Sequence, residues 1–192
     1  MLANFQPAED TSDYFKQIKP LPLGYLVWSK FPVSVYVHPS QFSDQARSQA
    51  WEQGTRTAIA DWQQYFPLVI ADRADADIVI EQVRPRKRSG GRARSAQASP
   101  KAYCGNNYLA HQFKIQISPS QTGQYIQAAT KHEIGHALGL WGHSLSSSDV
   151  MYAAQTATPP TISDRDLNTL RQVYQQPTLL GWSAPKYCPQ HS

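Results

Sequence analysis

The sequence predicts an α+β domain built on a twisted, mostly parallel sheet with a helix packed behind it. Three observations lead there. Val33-Ser34-Val35-Tyr36-Val37 alternates with period two, a long helical stripe follows, and two further short apolar segments come after it. Strands that flank a helical crossover pair in parallel. Later the chain carries the pattern HEIGH at 132–136 on a second helix, and a capping-box-like start of a third helix at Ser163. With 192 residues and a hydrophobic share of 41%, the chain is long enough for one well-cored domain with short appendages.

Taken in order, residues 1–24 are polar and punctuated by Pro20 and Pro22, and read as a solvated N-terminal arm. Pro32 and Pro39 bracket the first strand. Ser43 or Asp44 caps a helix running towards Phe66, with Trp51, Thr55, Ala58, Trp62 and Tyr65 as its core-facing stripe. Pro67 ends that helix. Leu68-Val69-Ile70 and Asp77-Ile78-Val79-Ile80 read as short strands.

Residues 84–101, RPRKRSGGRARSAQASPK, interrupt the pattern and hold much of the charge behind the net +4. A like-charge run with Gly and Ser reads first as a solvated, flexible loop. The competing readings are a patch for an acidic substrate, an anionic surface or nucleic acid, and a site of proteolytic nicking. No aromatic residue is interleaved with the basic ones, which weakens the nucleic-acid version. Residues 102–110 contain a turn at Cys104-Gly105-Asn106-Asn107. His111-Gln112-Phe113-Lys114-Ile115-Gln116-Ile117 alternates and forms the last strand before the second helix.

That helix opens at Ser120 or Thr122, and Tyr125, Ala129, His132 and His136 share one stripe of it. Two histidines four residues apart fall on one helical face, and each can present an imidazole nitrogen to the same Zn²⁺. Glu133 follows the first of them and is placed to take a proton from a metal-bound water. Gly139 lets the chain leave the helix and turn back, and His143 lies on that return path as the natural third ligand. Asp149 or a second water is the substitute if it is not. Residues 144–148 read as a flexible polar link. Leu167, Leu170, Val173 and Tyr174 give the third helix an apolar face, and Pro177 follows its end.

HEIGHALGLWGHS followed by Asp149-Val150-Met151-Tyr152 resembles the metzincin zinc endopeptidases, and within them the matrixin-like branch. The ligand interval is one residue longer here, because Gly142 stands where the third His belongs and the His comes at His143. The resemblance implies a metzincin-like zincin fold with an active-site helix, a Met-turn and a C-terminal helix. It implies His132, His136 and His143 as ligands of one catalytic Zn²⁺, Glu133 as general base, and Met151 as the Met-turn residue beneath the metal. It further implies peptide or protein substrates bound against an edge strand, which either 92–98 or 102–110 could supply. Tyr152 would help to wall a substrate pocket, although Ala153 replaces the family's usual proline. The family's further metal ligands have no counterpart, since His38, His111 and His191 stand apart, so one zinc is expected.

The chain divides accordingly into an arm (1–24), a catalytic domain (25–177) and an irregular tail (178–192). Cys104 and Cys188 permit one disulfide or two free thiols. No apolar run approaches the ~18–20 residues needed to cross a membrane. No basic region followed by an apolar core opens the sequence, whereas the resemblance implies export, so the location stays open. Two other functions stand beside endopeptidase: another zinc hydrolase such as an exopeptidase, and a silent binding protein that uses residues 84–101.

Overall fold

The computed structural model describes residues 12–86, 94–105 and 108–188. Its strands are β1 (Val33–Val37), β2 (Leu68–Ile70), β3 (Ile78–Glu81), β4 (Ala96–Gly105) and β5 (Tyr108–Ile117), and its α-helices are α1 (Gln45–Gln63), α2 (Gln124–Leu138) and α3 (Asp164–Val173). The strands form one sheet in the order β2-β1-β3-β5-β4. All neighbours are parallel except the outermost pair, in which β4 runs antiparallel to β5 with Ala96 opposite Ile117. The mostly parallel sheet, three helices and α+β class are those of a metzincin-like catalytic domain.

Alternation along the strands builds the core. Val33 and Val35 of β1, Ile78 and Ile80 of β3, and Phe113, Ile115 and Ile117 of β5 are all fully buried. α1 lays Trp51, Thr55, Ala58, Ile59 and Trp62 into the same core. Its start follows the sequence, with the Asp44 side chain accepting from Arg47 N at 2.8 Å. α1 and α2 touch closely at Gly54, where a Cβ would come within 2.9 Å of the Ile126 side chain. α3 opens on a complete capping box between Ser163 and Asp166.

Several expectations change. α2 begins later than Ser120 or Thr122, with Gly123 as its N-cap and no side-chain cap. Residues 84–101 do not form one flexible loop, because β4 takes in residues 96–101; residues 87–93 lie outside the described residues. The edge strand is thus a single run spanning parts of both candidate segments. The composition AQASPKAYCG is a poor strand signal, and the strand exists because its full length pairs with β5.

The arm is not solvated over its described part. Tyr14 and Ile18 are buried in the core, and Asp13 turns to α3, accepting from Gln172 Nε2. Of the arm's acidic residues that could reach a metal at the HEIGH helix and block it, Glu9 and Asp10 lie outside the described residues, and Asp13 is the one committed to α3. Residues 178–188 also join the core through Leu180, Ala184 and Cys188. Gly181 N donates to Leu109 O at 2.7 Å, and Leu109 N donates back to Trp182 O at 3.1 Å. A disulfide joins Cys104 at the end of β4 to Cys188, with a Cα–Cα distance of 5.6 Å across a sequence separation of 84.

Cross-linking positions so far apart removes much of the unfolded chain's freedom. Replacing both cysteines by serine is expected to lower the unfolding free energy by about 2–5 kcal/mol. The measurement is the denaturant midpoint, which should fall, with a slope that rises as the freed unfolded chain exposes more surface. An unchanged midpoint would mean that packing alone holds the tail.

Candidate metal centre and cleft

His132, Glu133 and His136 all project from α2, and two tryptophans fix that helix from separate elements. Trp62 Nε1 of α1 donates to Lys131 O at 2.9 Å, and Trp28 Nε1 donates to Ala137 O at 2.8 Å. The second bond satisfies a carbonyl in the last turn, where intrahelical partners run out. The helix then stops at Gly139, whose φ of 125° few residues but glycine adopt. A Cβ there would also meet Leu26 O at 2.7 Å.

Beyond Gly139 the chain doubles back tightly. Leu140 N returns to Gly135 O at 3.0 Å, and Trp141 N and Gly142 N bond to Gly139 O and Leu140 O at 2.8 and 2.9 Å. Gly142 packs on the backbone of Gln17 and Ile18 so closely that any side chain would collide with Gln17 O. Lys19 N donates to Trp141 O at 3.2 Å. The longer interval before His143 is therefore taken up by a compact turn seated on the N-terminal arm.

This path brings the three histidines together. Their ring centroids are 4.8 Å (132–136), 5.3 Å (132–143) and 5.0 Å (136–143) apart. One nitrogen from each lies within 4.8 Å of the others, a group that could hold one metal ion. His132 Nδ1 pairs with Val150 O and His136 Nδ1 with Leu140 O, each at 2.8 Å. A carbonyl can only accept, so both Nδ1 atoms carry the proton and both Nε2 atoms keep a lone pair. Burial holds His132 down at about 4 and His136 well below the usual histidine range, and it lowers His143 as well. The rings are thus neutral at neutral pH, as metal ligation requires.

Glu133 is 7% exposed. Burial pushes its carboxyl up to about 7, while the Ala98 backbone amide and Arg94 pull the other way. That contact with Ala98 also sets the facing of the edge strand. Ser95 O accepts from Ser118 N at 2.8 Å, so odd-numbered residues of this stretch bond inward and even-numbered ones face the cleft. Pro100 falls on the outward set, where its missing N–H breaks no sheet bond.

The segment after His143 is held rather than flexible. Ser144 N donates to Met151 O at 2.9 Å, and the Ser144 hydroxyl donates to Asp149. Asp149 is fully buried and also accepts from Ser163 Oγ at 2.8 Å and Arg165 Nε at 3.1 Å. Those contacts commit it as a support of the loop, away from the role of substitute ligand. Asp166 accepts from Val150 N at 3.0 Å and from Tyr14 OH at 2.6 Å, and so sets the carbonyl that orients His132. Met151 is fully buried against Gly135. Tyr152 lines a cleft of 740 Å³ together with the three histidines, Glu133 and the first half of β4. His111 is elsewhere, stacked on Trp28 with centroids 4.0 Å apart.

Sequence reasoning names the histidines, Glu133, Met151 and Tyr152. It does not reveal that Trp28 and Trp62 fix α2 or that Tyr14 and Asp166 support Val150, because those contacts span long sequence distances, nor that Arg94, within a basic run, lines the cleft.

Gly135 offers a direct probe of this packing. A Cβ there would overlap Met151 Sδ and stand 3.3 Å from the Trp62 ring. Gly135→Ala is expected to destabilise the protein by about 1–3 kcal/mol through overpacking. By displacing the Met151 segment it should also weaken zinc affinity, measured by chelator competition. Unaltered stability and affinity would show that the segment yields freely.

The family model described as Matrixin matches residues 27–175. A comparison with curated proteins gives no match. Among the described residues no helix is long and apolar enough to cross a membrane. The matched span covers the sheet, all three α-helices and the histidine cluster, and the chain belongs to the matrixin family of zinc-dependent metalloproteases, which act on peptides and proteins.

Proposed function

We propose that this matrixin is a zinc endopeptidase in which His132, His136 and His143 hold one Zn²⁺ and Glu133 is the general base. The observation that carries the reading is the convergence of three neutral imidazoles within 4.8 Å, with Glu133 on the same helix as two of them. The donor set fits: three nitrogens leave a coordination position open, the arrangement of a catalytic rather than a structural zinc site. When bound, zinc lowers the pKa of water from ~15.7 towards ~7 and polarises the scissile carbonyl.

The chain's own residues supply the rest. Glu133 takes a proton from the water as its oxygen attacks the carbonyl carbon, and returns it to the nitrogen as the C–N bond breaks. The Ala98 amide fixes the Glu133 carboxyl beside the edge strand. The outward carbonyls of Ala98, Pro100 and Ala102 offer an extended peptide a row of acceptors, so that substrate adds as a further strand. Val150 and Leu140 keep the ligand rings in register. Tyr152 forms part of the opposite wall. An extended chain seated along a strand favours internal cleavage, which is why endopeptidase is preferred over the broader class of zinc hydrolases.

Glu133→Ala should retain zinc while cleavage of an unstructured protein such as casein falls about 10²–10⁴-fold. Unchanged hydrolysis would contradict the assignment of the base. His143→Ala should lose both zinc and activity.

The pH dependence follows from the two sets of groups. A base works only as the carboxylate, so activity is lost as pH falls through the Glu133 pKa, about 7 without a cation and lower with one bound. Burial holds the ligand histidines of α2 down, His132 to about 4 and His136 well below the usual histidine range. Acidification should therefore abolish hydrolysis before zinc is released, read as kcat/KM against metal content. Simultaneous loss of both would assign the acid limb to the ligands.

A further inference from the structure

The charged residues of the cleft leave one feature that the proposed mechanism does not use. Among the described residues lining it, Arg94 is the one arginine or lysine, and Glu133 is the one acidic residue. Other cations around the site are committed. Lys131 Nζ pairs with Asp61 at 2.8 Å and Arg165 Nε with Asp149 at 3.1 Å, whereas no salt bridge among the described residues takes up Arg94.

Its position is set by the fold. Arg94 stands just before β4, and the bond between Ser118 N and Ser95 O places this end of the strand against the loop leading into α2. Gln121 in that loop lines the same cleft. Its Oε1 accepts from Gln155 Nε2 at 3.2 Å, which leaves its NH₂ group to donate. Arg94 lines the same cleft as Glu133, and its charge is felt there.

We propose that Arg94 determines specificity by selecting substrates that carry a carboxylate beside the bond to be cut. The proposal rests on the metallopeptidase reading for the class of molecule bound. A guanidinium presents a planar fork of donors that matches a carboxylate in two parallel hydrogen bonds. Bound zinc and Glu133 set the field at the centre of the cleft, whereas Arg94 adds a fixed positive charge at this end of it. With that charge, an acidic group is attracted at this end and a basic one repelled, and discrimination of this kind needs both signs. The carboxylate has two sources, an Asp or Glu side chain within the substrate or the free end of its chain.

The test uses zinc-loaded protein and fluorogenic peptides that differ only by Glu, Gln or Lys at each position flanking the cut, ending in either an amide or a free carboxylate. At the position that Arg94 reads, kcat/KM should fall from Glu to Gln to Lys, by about five- to tenfold per step for a partly exposed charge pair. Arg94→Ala should erase the order and Arg94→Glu should reverse it, while Arg94→Lys should keep part of it. A preference for internal Glu assigns the side chain as the source. A preference for the free carboxylate over the amide, lost in Arg94→Ala, assigns the chain end. An equal effect of Arg94→Ala on every peptide would reduce Arg94 to its field on Glu133 and overturn the proposal. If no peptide is cut, the metallopeptidase reading fails separately. Peptide affinities measured by calorimetry then decide: the same order, lost in Arg94→Ala, sustains the assignment, and side-chain-independent or absent binding overturns it.

Discussion

Two imidazole N–H groups donate to two backbone carbonyls, and much of the molecule is arranged around where those carbonyls lie. Leu140 O reaches His136 because Gly139 reverses the chain at the end of α2. Val150 O reaches His132 because the amide of the same residue is held by Asp166. Asp166 can do this because it caps α3 and takes a hydrogen bond from Tyr14 of the arm. Each link is modest alone, about 0.5–1.5 kcal/mol for a neutral hydrogen bond. Their value lies in leaving both Nε2 lone pairs free and directed, as partners behind metal-ligating histidines do.

Burial does the complementary work. It keeps the ligand rings neutral and raises the Glu133 carboxyl, so ligands and base are tuned in opposite directions by the same apolar surroundings. The edge strand counters this at Glu133 alone, through the Ala98 amide and the Arg94 charge. The strand that would seat substrate thus also adjusts the group that would carry the proton. The C-terminal disulfide anchors its far end, where Cys104 joins Cys188.

Local features were legible in the sequence. The helical spacing of His132 and His136, the glycine that ends α2, the Asp44 cap and the Ser163–Asp166 box all depend on residues within a few positions of each other. The parallel pairing of the strands that flank α1 followed from the helical crossover between them, but the order of the sheet did not. What escaped depends on distant partners. β4 has weak strand composition and owes its structure to pairing with β5. The arm looked solvated because Tyr14 and Ile18 show no periodicity, although Tyr14 bonds a residue 152 positions away. The serine-rich segment at 144–148 looked flexible because composition does not reveal that Asp149 gathers Ser144, Ser163 and Arg165.

The compact turn at 140–142 must deliver the displaced His143 to the same point as the two helical rings. X-ray absorption at the zinc edge of the zinc-loaded protein tests it directly. Three imidazole nitrogens at about 2.0–2.1 Å with one further light donor is the predicted coordination. Two imidazoles completed by carboxylate or water oxygens would contradict it.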